Sequence, residues 1–327
     1  MKEMAFAVSV AGSDSSAGAG LQVDLKTMTA CGVWGMTVVA ALTAQNGHAV
    51  TAVEGVPSCF IGKQIEALEA EYKIGCYKTG MLMNAETVSA AASAIPKTTP
   101  LVVDPVMVST SRARLLDEAG EDAVISLMLP RADITTPNLL EAEYLSGIEI
   151  TNEKRMEKAA EWFLDAGAKA VVVKGGHAEF RRGIDLYMDK NGMTLIKDEI
   201  LPYSDIHGSG CCYASAIASY ISLGYPVYEA VVEAKKFVTG AIKYSVEYCK
   251  GRRTMNPFWL ATYIKFCFLW PIPTIHTFLM IMQTSGSQRS SNISMRIITI
   301  SGILKRSRSS FIFPSSIYAA FSKKRLG

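Results

Sequence analysis

The sequence predicts an α/β domain with a mostly parallel central sheet and helices on both faces. Short apolar, β-prone runs alternate with helical patterns of about ten residues, as in consecutive βαβ units. The strands are near-continuously apolar, as strands covered on both sides must be. Polar and Gly-rich segments follow several strand ends, where sheets of this kind bind ligands. The chain has 327 residues and is 49% hydrophobic, enough for a substantial core.

In chain order, Met4–Ala11 reads as a buried strand ending at Gly12, and Leu21–Cys31 as a helix with Leu21, Leu25 and Met28 on one face. Met36–Thr43 and Ala49–Val56 read as strands, Ile61–Tyr72 as a helix and Ile74–Lys78 as a short strand. Ala85–Ala94 is an Ala-rich helix, Leu101–Val103 a strand running into Asp104-Pro105, and Glu118–Met128 a helix. Asp133–Thr135 is a strand, and a helix begins at Asn138. Glu153–Asp165 is a helix, and Ala170–Val173 a strand ending at Lys174-Gly175-Gly176. Ile184–Asp189 and Met193–Lys197 flank Asn191-Gly192 and read as a hairpin. Two helices, Gly210–Leu223 and Val227–Tyr248, close the domain.

Charge divides the chain. Residues 1–251 carry 22 Lys and Arg and all 30 Asp and Glu, whereas residues 252–327 carry 11 Lys and Arg and no acid. An acidic body with a basic, acid-free tail is two compositions in one chain. The seven cysteines include no CxxC pair, which fits free thiols in a reducing cytoplasm better than a disulfide framework or a zinc site. The apolar run after Met4 is too short for a signal peptide, so a cytoplasmic location is expected.

Three segments can carry chemistry. Ala11-Gly12-Ser13-Asp14-Ser15-Ser16-Ala17-Gly18-Ala19-Gly20 joins a strand to a helix, and its small residues let backbone approach a ligand. It lacks the G-K-[ST] ending of a Walker loop, and an ordinary tight βα turn reads the same way. His207-Gly208-Ser209-Gly210-Cys211 opens an apolar helix. Its N–H groups and dipole suit an anion or developing phosphoryl charge, and they favour a thiolate at Cys211. A Gly-containing cap before a buried Cys is the alternative. Asp104, Asn138, Glu141 and Lys174 lie at successive strand ends. The two carboxylates can hold Mg²⁺ through waters and the lysine can reach phosphate. Singly, each also fits a turn residue, a cap or a solvated charge.

These segments resemble hydroxymethylpyrimidine kinase / phosphomethylpyrimidine kinase of thiamine biosynthesis, in the ribokinase superfamily. The matching pieces, in order, are AGSDSSAGAGLQVDLKT (11–27), TAQNG (43–47), KTGM (78–81), DPVM (104–107), TPNLLEAE (136–143), VKGGH (173–177) and HGSGC (207–211). The resemblance implies a ribokinase-like domain over residues 1–257. It implies a pyrimidine pocket of Gly12, Asp24, Gln45, Met81 and Val106, with Asp24 and Gln45 on the ring nitrogens and amino group. It implies catalysis by Cys211 with an anion hole at Gly208, Ser209 and Gly210. ATP would be bound by Asn138, Lys174 and Ser209, and Mg²⁺ by Asp104 and Glu141. The implied reaction is transfer from ATP to 4-amino-5-hydroxymethyl-2-methylpyrimidine and then to its monophosphate. Superfamily members are often dimers, so a homodimer is the implied assembly.

The chain departs from the pattern in two places. After DPVM the family commonly has Ala-Lys-Ser-Gly, whereas here Val108–Arg114 follows, with Arg112 and Arg114 as candidate replacements for the lost positive charge. After Cys211 the family usually has Thr; here Cys212 and Tyr213 follow. Beyond Pro257 the resemblance stops. Residues 258–327 read as an aberrant, unfolded tail, with a membrane anchor over Phe258–Met282 or a basic nucleic-acid tail as alternatives; neither a membrane nor a nucleic acid is expected as a partner. The rival functions are a pyridoxal or pyridoxine kinase and a non-catalytic pyrimidine-binding module.

Overall fold

The alternation of side chains along each strand builds two cores, one on each face of the sheet. In β5 (Leu101–Val103), Leu101 and Val103 enter one cluster and Val102 the other. In β7 (Ala170–Val173), Val171 and Val173 face the first cluster while Ala170 and Val172 face the second. In β4 (Cys76–Thr79), Tyr77 and Cys76 divide in the same way. The structure is a computed structural model that describes residues 4–107, 114–176, 180, 183–202, 206–249 and 251–260. All of these fall in one compact unit, Met1–Trp270.

The remaining strands are β1 (Phe6–Asp14), β2 (Trp34–Gln45), β3 (Val50–Gly55), β6 (Ile134–Thr135), β8 (Asp185–Asp189) and β9 (Gly192–Ile196). They form a nine-stranded sheet in the order β3-β2-β1-β4-β5-β6-β7-β8-β9. The six strands from β2 to β7 run parallel, and β3, β8 and β9 are antiparallel additions. The parallel strands therefore end on one edge of the sheet, and β1 bulges between Ala11 and Gly12 just before its end.

Helices α2 (Ser58–Glu69), α3 (Ala85–Ala94), α5 (Leu139–Ser146) and α6 (Glu153–Asp165) cover one face, through residues such as Ile61, Val88, Leu145 and Phe163. Helices α1 (Gly20–Ala30), α7 (Ser209–Ser222) and α8 (Val227–Lys243) cover the other, through Val23, Ile217 and Phe237. No helix among the described residues is long and apolar enough to cross a membrane.

Two helical expectations need correction. The predicted helix Glu118–Met128 is regular only as α4 (Glu118–Ala123); a π-helical turn covers Val124–Met128, where the Leu129 N–H donates to the Val124 carbonyl. Pro130 follows, and with no N–H and a ring that crowds the preceding turn it ends the α pattern. The predicted helix Val227–Tyr248 stops at Lys243. The Ala241 carbonyl, which a longer helix would offer to Ser245, instead accepts from the Asn256 N–H. Val246–Cys249 becomes strand β10, paired antiparallel with β11 (Arg252–Thr254) through a turn at Gly251, whose φ is +73°.

The packing runs a little past Pro257. Trp259 stacks on Tyr244, with ring centroids 5.9 Å apart and planes within 3°, and it covers Gly240 so closely that a Cβ there would overlap the indole. Its buried Nε1 has no hydrogen-bond partner. Residues 261–327, which hold nearly all of the expected tail, lie outside the described residues. Trp259→Ala is expected to cost roughly 2–3 kcal/mol, somewhat below the ~3–5 kcal/mol of a fully buried aromatic, while Trp259→Phe costs less. Urea titration of the two variants measures the difference, and a chain ending at 257 should melt below one ending at 260.

Candidate active site

The first Gly-rich segment and the start of α7 meet backbone to backbone. Gly208 is the α7 N-cap at φ +83°, and a Cβ there would sit 1.9 Å from the Gly18 carbonyl oxygen. Only glycine permits both the left-handed backbone and that approach. The loop is folded by Asp14, whose carboxylate accepts from Ser16 N–H and O–H, from Gly18 N–H and from Ala19 N–H. Asp14 Oδ2 also lies 2.9 Å from His207 Nε2, which ties the loop to the residue before Gly208. Burial alone would raise the Asp14 carboxyl, but these partners, His207 foremost, hold it below its ordinary value. From behind, Thr254 of β11 bridges His207 in parallel, and the His207 N–H donates to the Arg253 carbonyl.

Below this junction lies a buried ion pair. Lys78 Nζ is 2.8 Å from Asp24 Oδ2, and both side chains are wholly excluded from solvent. Ser9 of β1 donates to the same oxygen at 2.6 Å, and Ser215 of α7 donates to Oδ1 at 2.7 Å. Burial opposes the charge on Lys78, but Asp24, Cys211 and Asp104 together raise its pKa.

Beyond the ends of β5 and β7, Lys174 Nζ is 3.0 Å from Asp104 Oδ1, and Thr136 Oγ1 donates to the same oxygen at 2.9 Å. Asn138 and Glu141 form a capping box at the start of α5: the Glu141 N–H donates to Asn138 Oδ1, and the Asn138 N–H to Glu141 Oε2. Asn138 bridges Lys174 in the sheet, and the Lys174 N–H donates to the Pro137 carbonyl. Burial raises the Glu141 carboxyl above the usual range and Asp104 adds to this, against the pull of Lys174. A methyl group at Gly210 would lie 3.2 Å from Lys174 Nζ and 3.9 Å from Asp104 Oδ2. The first turn of α7 therefore closes directly on this cluster.

Cys211 lies in the first turn of α7, where a thiolate is expected to be favoured. The half-buried thiol is pushed up to about 11, first by burial; Lys78 pulls it down, Asp24 and Asp104 push it up, and the Gly20 backbone lowers it. Burial thus acts against the helix terminus at this thiol. Cys212 is buried against Thr27 Oγ1, as helix packing requires.

The residues assigned to the pyrimidine pocket are arranged as follows. Gly12 and Met81 are adjacent, since a Cβ at Gly12 would lie 2.9 Å from the Met81 sulfur. Val106 is half-buried, two residues beyond Asp104. Gln45 ends β2, half-buried; its backbone is held by Ser15, and its Nε2 is 3.4 Å from His207 Nε2. Asp24 differs: both of its oxygens are already engaged. Arg114 pairs with Glu118 and Glu121 at the start of α4. Arg112 and His177 lie outside the described residues.

The sequence reading gave no role to Lys78, Asp14 or His207, although all three stand in quoted motifs. A lysine at the end of an apolar strand and an aspartate in the middle of an apolar helix were the available signals, because buried charges occur in pairs.

Residues 14–256 match the family model described as phosphomethylpyrimidine kinase. The chain belongs to the phosphomethylpyrimidine kinase family. It is 39% identical over 258 residues to a hydroxymethylpyrimidine/phosphomethylpyrimidine kinase of Rhizobium meliloti, covering 78% of this chain and 97% of that one. A thiamine biosynthesis bifunctional protein of Geobacter sulfurreducens is 38% identical over 251 residues, 76% of this chain; the chain spans only about half, 51%, of that protein's length. Among solved structures, a phosphomethylpyrimidine kinase of Clostridium difficile is 40% identical with a TM-score of 0.66, covering 73% of this chain and 100% of that one. An ADP complex of Bacillus subtilis pyridoxal kinase is 30% identical with a TM-score of 0.73, covering 80% and 100%. The ribokinase-like α/β fold expected from the sequence is the fold of this phosphomethylpyrimidine kinase family member.

Two outcomes test the geometry. Gly208→Ala is expected to abolish the loop contact and reduce any turnover at least 100-fold (~3 kcal/mol or more), read as kcat/KM beside a circular dichroism spectrum that shows the fold retained. Alkylation of Cys211 by iodoacetamide should be slow at pH 7 and rise with pH toward about 11, because the reactive thiolate forms only as the raised pKa is approached.

Proposed function

We propose that this family member transfers the γ-phosphoryl group of ATP to 4-amino-5-hydroxymethyl-2-methylpyrimidine and then to the resulting monophosphate. The convergence of Asp104, Lys174 and the first turn of α7 at one edge of the sheet carries this reading. A cation, a carboxylate and helix N-terminal N–H groups around one point suit phosphoryl transfer, in which positioning and charge stabilisation matter more than a strong base. The family match over residues 14–256 and the names of its relatives supply the acceptor.

In this reading Lys174 and the N–H groups of Ser209 and Gly210 hold phosphoryl oxygens, and Gly208 keeps the helix end open to them. Gly12, Gln45, Met81 and Val106 line the ring, and Asp24 acts from beneath the pocket. Cys211, in its thiolate form, receives the hydroxyl proton late, as the bond to phosphorus forms. The monophosphate of the second transfer is already ionised and needs little base. No group of three or more His, Cys, Asp or Glu able to hold a metal occurs among the described residues, and Mg²⁺ needs only one or two carboxylates when phosphates and waters complete its shell. Asp104 and Glu141 would be the carboxylates that hold it beside waters and phosphates. The ion would neutralise charge on the phosphates. Five free cysteines among the described residues support a reducing, cytoplasmic setting.

A pyridoxal kinase is the second reading, favoured by the likeness to the Bacillus subtilis enzyme. ADP formation is to be measured with Mg-ATP and the hydroxymethylpyrimidine, its monophosphate or pyridoxal. Turnover of both pyrimidines is expected, with Cys211→Ala losing about 10²–10³-fold on the first transfer and less than about tenfold on the second. Turnover of pyridoxal alone moves the assignment to vitamin B6, and binding without ADP formation makes the chain a pyrimidine-binding module.

A further inference from the structure

Lys174, the cation that the proposed reaction sets on phosphate, stands where β7 leaves the sheet, and its backbone is held from both sides. On one side the Lys174 N–H donates to the Pro137 carbonyl. On the other side the sheet ladder has run out. Strands β7 and β8 pair from Ala170 opposite Asp189 to Val173 opposite Leu186, and the next register position sets Lys174 opposite Asp185. The Gly175 N–H therefore lies beyond the last rung. Gly175 is buried, and a buried N–H needs an acceptor. The Asp185 side chain supplies it, with Oδ1 3.0 Å from the Gly175 nitrogen. The Gly175 carbonyl is held as well, accepting from the Gly183 N–H at 3.1 Å.

Asp185 is itself fixed by a second element. Its Oδ2 lies 2.8 Å from Lys235 Nζ of α8, and the two side chains are 3% and 13% exposed. A neutral side chain could accept the Gly175 N–H without burying two charges, and a buried ion pair adds little stability over an apolar contact. What the pair adds is direction. Charge-assisted bonds on both carboxylate oxygens leave Asp185 one orientation, and so leave the Gly175 peptide one place. Helix α8 thus reaches across the end of β8 to the residue after Lys174.

We propose that Lys235 and Asp185 are positioning residues for the phosphate end of ATP: they clamp the Gly175 peptide and so hold Lys174 at the Asp104 cluster, without touching either substrate. The inference rests on the proposed kinase reaction. The pair acts on the nucleotide side alone, because the residues assigned to the acceptor ring lie on β1, β2 and the segments after β4 and β5.

The test uses the full chain with Mg-ATP and the hydroxymethylpyrimidine. D185A/K235M removes the clamp and leaves no lone buried charge. It should raise KM for ATP about tenfold and lower kcat about tenfold, while KM for the acceptor stays within about twofold. Lys235→Arg keeps the ion pair and should stay within about threefold of the wild type. A general loosening of the fold would not separate the two KM values in this way. Hydrogen exchange in the ligand-free chain gives a readout that needs no turnover. Amides of residues 170–176 should exchange about tenfold faster in D185A/K235M, while Leu101–Val103 keep their protection. If that variant does not fold, D185N/K235M, which keeps an acceptor for Gly175 without the ion pair, should still raise KM for ATP about threefold or more. Wild-type exchange over residues 170–176 in folded D185A/K235M, or an equal rise in the two KM values, overturns the proposal. If the wild-type chain turns over no acceptor, the kinase reading fails, and the exchange comparison still decides whether the pair holds Gly175.

Discussion

Asp24 sits in the middle of α1 with its carboxylate sealed from solvent, and side chains from three other elements donate to it. Ser9 comes from β1, Lys78 from β4 and Ser215 from α7. Removing one partner of such a buried pair typically costs about 3–5 kcal/mol, because the remaining charge has no water to turn to. The four elements are therefore fixed relative to one another at the point where the strands end. The height of α7 above the sheet follows, and with it the positions of Gly208, Ser209, Gly210 and Cys211.

A second fastening acts on the same helix from above. Gly208 lies on the Gly18 carbonyl, and Asp14 reaches across to His207. A packed interior admits few intermediate arrangements, so a helix held above and below has little freedom to drift. Such rigidity suits a transition state stabilised by groups already in place, because no reorganisation is then required at the moment of reaction.

Much of this was legible in the sequence, for physical reasons that can be named. The strands Leu101–Val103 and Ala170–Val173 and the helices Ala85–Ala94 and Glu153–Asp165 have the limits that apolar patterning and capping residues dictate. Asn84 and Asn152 cap the two helices by accepting from the third helical N–H. The motif residues of β5, β6, β7 and α7 gather because parallel strands end on one side. What escaped was set by tertiary contacts. The stop at Lys243 depends on Asn256 returning to Ala241, which no local pattern reveals. The thiol at Cys211 looked activated because its helix position is visible in sequence, whereas its desolvation is not. The partners of Asp24 are likewise set by tertiary contacts, since Ser9, Lys78 and Ser215 come from three distant segments.

The pairing of Thr254 with His207 has a consequence for how the protein is made. The site draws on Gly12 near the start of the chain and is braced by a strand that ends at residue 254. During synthesis at about 5–20 residues per second, the sheet can begin to form while the last helices are still missing. The loop at His207 has no support from behind until the final hairpin has left the ribosome. A nascent chain lacking that hairpin can bury much of its core while the His207 loop still awaits its brace.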